Sequence, residues 1–252
     1  MKNRSRHDIS KLSVLGNSYL VAHQPYMVAW WSAAFPGFGH YLLNQYMRGL
    51  LLALLEVIVN SMAHLNEAMV YSFCGRFDKA ASVLQPDWSM GYIVIYFFAM
   101  WDSYRSAITQ TKMAQLAEAA QPPVRRVLIT PMEVQYVERK NPAAGVFYSF
   151  FFPGLGQLYN HRFGLAFYSI FWWWIYSLLS HFYRAVLALM LGHVPQSTAM
   201  LDPQWLLFMP SVVGGSMYHA YVTTLEQNEL FRKEQRQYFK ARYGASEIDI
   251  WG

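Results

Sequence analysis

The sequence repeats itself at a fixed offset of 117 residues, and this repeat constrains the fold more than any other feature. The offset carries Phe35-Pro36-Gly37 onto Phe152-Pro153-Gly154, and it carries Gly39 onto Gly156. Further identical pairs include rare residue types: His64 with His181, Pro86 with Pro203, Trp88 with Trp205, Tyr104 with Tyr221 and Gln110 with Gln227. A self-match of this extent predicts two copies of one structural unit, so the fold must accommodate the same unit twice.

Each copy predicts the same order of segments. A short aromatic stretch interrupted by PGxG comes first. It is followed by an apolar run, a loop of about 20 residues, a second apolar run and a polar helix-forming segment. The first copy has these segments at residues 26–43, 49–65, 66–87, 88–107 and 108–121, and the second at residues 143–159, 163–182, 184–204, 205–224 and 225–243. Proline at 122 and 123 and glycine at 244 are expected to end the polar helices.

The resulting prediction is an all-α chain made of two tandem pseudo-symmetric repeats. It divides into an N-terminal tail, a first repeat, a linker, a second repeat and a C-terminal tail, at residues 1–18, 19–121, 122–137, 138–238 and 239–252.

The apolar runs are long enough to cross a membrane. They have 17 to 20 residues, and at 1.5 Å per residue this length matches a hydrocarbon core of about 30 Å. Only 14% of the residues are charged, whereas 54% are apolar and 17% aromatic; a soluble chain would carry about a quarter charged residues. We therefore predict a polytopic integral membrane protein whose first span acts as its own insertion signal.

The positions of the cations predict how many times the chain crosses. If the PGxG stretches enter the membrane and return, there are four spans, and only Arg76, Lys79 and Arg184 of the 20 lysines and arginines lie outside. If these stretches cross, there are six spans, and the cations of the central linker move outside. The positive-inside rule favours the more polarised arrangement. We predict four spans in the cell membrane with both termini cytoplasmic and both repeats in one orientation; six spans are the alternative.

The two PGxG stretches also carry a resemblance. The second continues as Pro153-Gly154-Leu155-Gly156-Gln157-Leu158-Tyr159-Asn160, and the first reads Pro36-Gly37-Phe38-Gly39-His40, followed by Arg48-Gly49. The second stretch resembles the PGxGQxYN signature of small bacterial membrane proteins related to the TM2-domain superfamily, and the first is a degenerate copy of it. Asp102 resembles the aspartate that closes TM2-like units. The resemblance implies paired membrane helices and no particular reaction.

The second copy departs from the family pattern in two places. It has His219 where the first copy has Asp102, and it reaches its glycine, Gly164, two residues sooner than the first copy reaches Gly49.

One polar stripe lies inside an apolar run. Glu56, Asn60 and His64 follow i, i+4, i+8 spacing and would share one helix face. A carboxylate at membrane depth is costly and is often functional, so the stripe predicts a proton or ion relay. The alternative is a polar face that bonds a neighbouring helix. The second copy has Trp173 and Ser177 at the first two positions, which favours the structural alternative.

Two repeat-equivalent pairs are further candidates. His64 and His181 fall near the outer ends of their helices, and they are either two metal ligands or interfacial side chains; since no third ligand is evident, we predict no metal site. Asp102 and His219 fall near the cytoplasmic ends, where they either pair across the pseudo-axis, with Tyr221 nearby, or are ordinary interfacial polarity.

Motifs for catalysis or cofactors do not occur in the sequence, which has no nucleotide-binding loop, HExxH or GxSxG. We predict no cofactor, no catalytic residues and no nucleic-acid partner. The expected partners are the lipid bilayer and a protein at the cytoplasmic face, and an oligomer is compatible with the sequence.

Three functions are compared. The first is a scaffold or accessory subunit whose cytoplasmic helices dock a partner. The second is a small transporter or channel that uses Glu56, which would then face a hydrated cavity between the repeats. The third is a lipid-acting enzyme in the membrane. The segment 225–243, with Glu229 and Lys233 at i, i+4, is expected to pack on the segment 108–121, lie on the membrane or bind the partner.

Overall fold

The computed structural model describes residues 10–13, 16–119, 124, 127–129, 131 and 134–244, and within these ranges the chain is helical apart from two short hairpins. The predicted all-α class is therefore confirmed. The predicted stop at Pro122 and Pro123 lies outside the described residues, as do seven of the sixteen residues of the linker. The predicted helix end at Gly244 is confirmed, because the last helix ends at Tyr243 with Gly244 as its C-cap.

The first half of the chain begins with an antiparallel hairpin of β1 (Ser10–Ser13) and β2 (Gly16–Tyr19), in which Ser10 pairs with Tyr19. Six helices follow: α1 (Pro25–Ala34), α2 (Phe38–Leu42), α3 (Tyr46–Ala63), α4 (Leu65–Phe73), α5 (Phe77–Val83) and α6 (Pro86–Ala119).

The second half has the same order of elements, except that two helices stand where the first half has the single helix α6. It consists of β3 (Val127–Ile129), β4 (Val134–Tyr136), α7 (Pro142–Phe151), α8 (Leu155–Tyr159), α9 (Phe163–Leu179), α10 (Phe182–Met190), α11 (Val194–Met200), α12 (Pro203–Leu206) and α13 (Phe208–Tyr243). The first residues of α7 to α12 each lie 117 positions after the first residues of α1 to α6. Residues with positive φ also occur at this offset: Gly37 and Gly154, Asn44 and His161, His64 and His181, and Gly75 and Gly192.

The chain reverses direction at each PGxG sequence. Gly37 and Gly154 have φ values of 96° and 103°, a region that a residue without Cβ enters at no steric cost. The helix after the turn then packs against the helix before it, since a Cβ on Gly39 would lie 2.5 Å from the Val28 carbonyl oxygen. α3 covers the turn, because a Cβ on Gly37 would lie 2.5 Å from the Gly49 carbonyl oxygen.

The predicted connections at residues 66–87 and 184–204 are helical, so the sequence prediction of plain loops is wrong there. α4 and α5 occupy the first connection, and α10 and α11 the second. His64, with a φ of 54°, is both the C-cap of α3 and the N-cap of α4, and His181, with a φ of 57°, is the N-cap of α10. These four helices have only seven to nine residues each, which is too short for a clear helical periodicity in the sequence.

Packing within each half is dominated by its long C-terminal helix. α1 and α3 contact α6, and α7 contacts α13. The halves meet in an apolar cluster of Val57, Tyr176, Phe208 and Met209, in which the Tyr176 and Phe208 rings stack with centroids 5.0 Å apart. Aromatic pairs also cross between the halves, with ring centroids 4.4 Å apart for Trp31 and Tyr218 and 5.2 Å apart for Tyr41 and Tyr168.

One or two of the described helices have the length and composition of a membrane span. α3 is 18 residues long with a mean hydropathy of 1.4. α9 and α10 qualify only as a pair that is bent by 65°. Three helices also expose large apolar side chains at spacings of three or four residues: Leu51, Leu55 and Ile58 on α3; Ile93, Val94, Phe97 and Trp101 on α6; and Phe167, Phe171, Trp174 and Leu178 on α9.

The far end of α13 packs against the end of α6 and the first hairpin. Lys233 Nζ lies 2.8 Å from Tyr19 Oη, 2.6 Å from Glu118 Oε1 and 3.0 Å from Glu229 Oε1. Burial opposes the charged ammonium, but hydrogen bonds to Glu118, Tyr19 and Glu229 outweigh it and raise the pKa of Lys233. Of the three predicted placements of this segment, the structure has the packing on the end of α6.

Candidate functional site

Glu56 and Asn60 lie on the buried face of α3, where each is 3% exposed. Asn60 Nδ2 donates to Glu56 Oε1 at 3.0 Å, and the Tyr92 hydroxyl donates to the same oxygen at 3.4 Å. His64 does not continue this stripe. It lies at the end of the helix with its side chain 46% exposed, and its Nδ1 is 3.1 Å from Glu67 Oε2. The predicted common face therefore holds for two of the three residues.

The stripe continues into the second half of the chain through amide side chains. Gln204 Nε2 donates to Asn60 Oδ1 at 2.9 Å, and Asn66 Nδ2 donates to the Gln204 carbonyl oxygen at 3.1 Å. Gln204 Oε1 in turn accepts from the Glu67 amide at 3.0 Å. These bonds form a closed contact between α3, α4 and α12, which matches the structural alternative for Glu56.

The polar residues of the PGxGQxYN motif fasten α8 to α13. The Gly154 amide donates to Ser216 Oγ at 3.0 Å, and Gln157 Nε2 donates to the Ser216 carbonyl oxygen at 3.0 Å. Asn160 Nδ2 donates to the Ala220 carbonyl oxygen at 2.8 Å. Each bond is made to a neighbouring helix in the same half, so these motif residues have a structural role.

The remaining motif positions are also used in packing. Pro36 and Pro153 are fully buried. The Tyr159 hydroxyl accepts a hydrogen bond from the Asn141 amide at 3.0 Å. The backbone carbonyl oxygen of Tyr159 accepts one from Lys140 Nζ at 2.6 Å.

Asp102 bonds within its own half and not with His219. His40 Nε2 lies 3.0 Å from Asp102 Oδ2, and Arg48 Nη1 donates to the same oxygen at 3.3 Å. His219 is buried and its Nδ1 lies 3.4 Å from Thr223 Oγ1. The pairing that repeat equivalence suggested is therefore wrong, because His40 belongs to the same half as Asp102 and reaches it first.

His64 and His181 each stand at the junction of two helices with exposed side chains. Among the described residues, no group of three or more His, Cys, Asp or Glu side chains has an arrangement that could hold a metal ion.

A polar cluster between the halves was not anticipated from the sequence. Its centre is the buried Arg162, whose Nη1 donates to the Tyr46 hydroxyl at 2.7 Å and to Asn44 Oδ1. Arg162 Nη2 lies 3.8 Å from Glu226 Oε2, and His23 Nε2 lies 3.8 Å from Glu226 Oε1. The cluster thus joins the start of α3 in one half to the start of α9 in the other.

Two cavities lie beside this cluster, between the halves. The larger, of about 400 Å³, is lined by Lys11, Ser18, Tyr41, Tyr46, Met47, Leu50, Arg162, Gly164, Leu165 and Tyr168. The smaller, of about 60 Å³, includes Gln157, Ser216 and His219 in its lining and shares Tyr41, Leu165 and Tyr168 with the larger one. The Tyr41 and Tyr168 rings, with centroids 5.2 Å apart, form a common wall. Glu56 lines neither cavity.

Comparison of the chain with protein-family models, curated proteins and solved structures gave no match. The resemblance to TM2-like proteins accordingly stays a prediction from the motif residues.

Proposed function

We propose that the chain is a four-span membrane protein made of two tandem copies of one helical unit. The supporting observation is an inverted polarity along single helices. On α3, Leu51, Leu55 and Ile58 are exposed while Glu56 and Asn60 are buried. Water would favour the opposite arrangement, whereas a bilayer favours apolar side chains outside and polar side chains bonded to one another inside.

The short helices support four spans over six. α1 and α7 have ten residues each, which corresponds to about 15 Å and is half of a hydrocarbon core of about 30 Å. Each is followed by a turn that returns the chain along the same helix. α3, α9, and the apolar parts of α6 and α13 are then the four crossing segments. The matched helix starts in the two halves support a repeated unit with one orientation.

The function that this geometry supports best is a scaffold or accessory subunit that docks an acidic partner at the cytoplasmic face. The observation that carries it is the end of α13. One face of this segment is held by Lys233 and Leu230. A neighbouring face of the same segment exposes Arg232, Arg236 and Lys240 at i, i+4, i+8 spacing, which forms one basic stripe on a fixed helix.

Transport through Glu56 receives less support. Its oxygen Oε1 is bonded to Asn60 and Tyr92, and the side chain lines neither cavity between the halves. The contacts of Asp102, His219, His64 and His181 likewise bring no pair of them together in a cleft.

Labelling of Cys74 tests the topology. Cys74 is exposed and is the single cysteine of the chain. With four spans, a membrane-impermeant maleimide labels Cys74 in intact cells. A variant with Ala119→Cys in a Cys74→Ser background is labelled only after lysis. The inverse pattern would overturn the four-span arrangement and, with it, the cytoplasmic position of the basic stripe.

Site-specific cross-linking tests the docking function. A photoreactive amino acid at position 236 is compared in cells with the same group at position 190, a residue of α10 on the opposite face that is 80% exposed as Met190. We expect a discrete protein adduct at 236 that is lost when Arg232 and Lys240 are both changed to Glu. An adduct that survives charge reversal, or the same adducts at both positions, would contradict docking by the basic stripe.

A further inference from the structure

The larger cavity between the halves receives two helix N-termini. α3 begins at Tyr46 and α9 at Phe163, and Tyr46, Met47, Gly164 and Leu165 line the cavity. Neither helix has a side-chain hydrogen bond to its first turn from the N-cap residue. The first backbone amides of a helix have no intrahelical acceptor, and the helix dipole adds positive potential there. Both features favour an anion in the space that the two helices share.

Two cationic side chains reinforce these termini. Arg162 is 3% exposed and lines the cavity, and its Nε has no hydrogen-bond partner. Since a buried donor without an acceptor is costly, a bound oxyanion would stabilise it. Lys11 is exposed at the same cavity. Glu226, 3.8 Å from Arg162 Nη2, offsets one positive charge, so Lys11 leaves the site with an excess of positive charge.

The rest of the lining is apolar, and this distinguishes a lipid from a small inorganic anion. Met47, Leu50 and Leu165 lie beside the cationic groups, and Met47 is 70% exposed. Tyr41 and Tyr168 line both cavities and separate the larger one from the smaller one. The larger cavity therefore combines cationic groups, Arg162 and Lys11, with an apolar lining. This combination of basic groups and apolar walls between membrane helices is one that binds acidic lipid headgroups.

We propose that the cavity binds the phosphate-bearing headgroup of an anionic phospholipid, with Arg162, Lys11 and the N-termini of α3 and α9 contacting the phosphate and Met47, Leu50 and Leu165 contacting the chain. This site lies apart from the basic stripe of α13 and is independent of the docking function.

Binding of phosphatidylglycerol to the purified full chain in a neutral maltoside detergent tests the site, with native mass spectrometry as the readout. Phosphatidylcholine and inorganic phosphate are measured in parallel. The two lipids share the phosphate group, but phosphatidylcholine also has a quaternary ammonium, which Arg162 and Lys11 would repel. We therefore expect phosphatidylglycerol to bind roughly tenfold tighter than phosphatidylcholine. Inorganic phosphate that binds as tightly as phosphatidylglycerol would overturn the lipid assignment in favour of a free anion.

Three variants and one control locate the binding. Arg162→Gln installs the residue that occupies the equivalent position, Gln45, in the first half, and it should weaken phosphatidylglycerol binding roughly tenfold. Lys11→Gln alters an exposed side chain and should weaken it by a smaller factor. Met47→Trp keeps every charge but fills the cavity and should also weaken it. Arg184→Gln removes an exposed cation from α10 and should change nothing.

Equal phosphatidylglycerol affinity in all four variants would refute the site. If Arg162→Gln does not fold, as judged by size-exclusion chromatography, Lys11→Gln and Met47→Trp decide the question alone. Unchanged affinity in both of those variants then refutes the proposal, and weakened affinity in both supports it.

Discussion

Replacing Gly156 with Ala should lower the free energy of unfolding, because α8 packs closely against α7 and α13 at this residue. A Cβ on Gly156 would lie 2.2 Å from Ser149 Oγ, 2.3 Å from the Gly145 carbonyl oxygen and 2.7 Å from Ala220 Cβ. The serine hydroxyl can rotate away, but the carbonyl oxygen and the Ala220 Cβ are fixed by α7 and α13. α8 must therefore move off both helices, and overpacking of this kind costs about 1–3 kcal/mol.

Gly214→Ala is the matched control. Gly214 lies within α13, and a Cβ there meets nothing within 4 Å. Since alanine is the better helix former, this change should stabilise by about 0.5–1 kcal/mol. The two variants should then differ by about 3 kcal/mol, which corresponds to roughly 6–12 °C in Tm for a chain of this size.

The assay is thermal unfolding of each purified variant in one detergent, followed by size-exclusion chromatography of the heated samples. Gly39→Ala repeats the test in the first half, because its Cβ would lie 2.4 Å from Ser32 Oγ and 2.5 Å from the Val28 carbonyl oxygen. A Gly156→Ala protein as stable as Gly214→Ala would refute the close packing of α8 on its neighbours.

Three further predictions concern polar contacts. Asn60→Ala leaves Gln204 Nε2 without its side-chain acceptor and should cost about 1–3 kcal/mol of unfolding free energy; a double-mutant cycle with Gln204→Ala should show coupling, and strictly additive costs would argue against the contact. Lys233→Met should speed limited proteolysis of the C-terminal segment, since three hydrogen bonds are lost, whereas Lys240→Met should not; equal cleavage of the two proteins contradicts this. His64→Gly should leave the free energy of unfolding unchanged or raise it by up to about 1 kcal/mol, because His64 has a φ of +54°, which costs a residue with a side chain more than it costs glycine. A large loss of stability in this variant would point to a role for the imidazole.

The order of the helices follows from features that a single sequence displays. The 117-residue offset and the two PGxG sequences predict two units with a break near the start of each, and the helix starts of the two halves agree with that offset. Glycine at 37 and 154 carries this information because the turn needs a positive φ and leaves no room for a Cβ. The hairpins escaped prediction because strands of three or four residues are too short to show an alternating pattern.

The candidate site was harder to predict, because it depends on which faces of distant helices meet. In the sequence, Arg162 is one of several cations that precede an apolar run. The equivalent residue in the first half is the uncharged Gln45, so the repeat does not predict a charged site. Its partners Asn44 and Tyr46 are more than a hundred positions away in the sequence. Repeat equivalence offered His219 as one possible partner of Asp102, whereas the structure has His40 of the same half in that place.

The two polar contacts of α3 with the other half lie at opposite ends of the helix. Arg162 reaches Asn44 and Tyr46 at its start, and Gln204 reaches Asn60 near its end. Positions 46 and 60 are separated by about 21 Å along the axis. A sliding motion of α3 by a single residue step would break both contacts together, and so would a rotation about its own axis. Rocking of one half against the other about the line through the two contacts would break neither of them, and it would change the width of the space between α3 and α9.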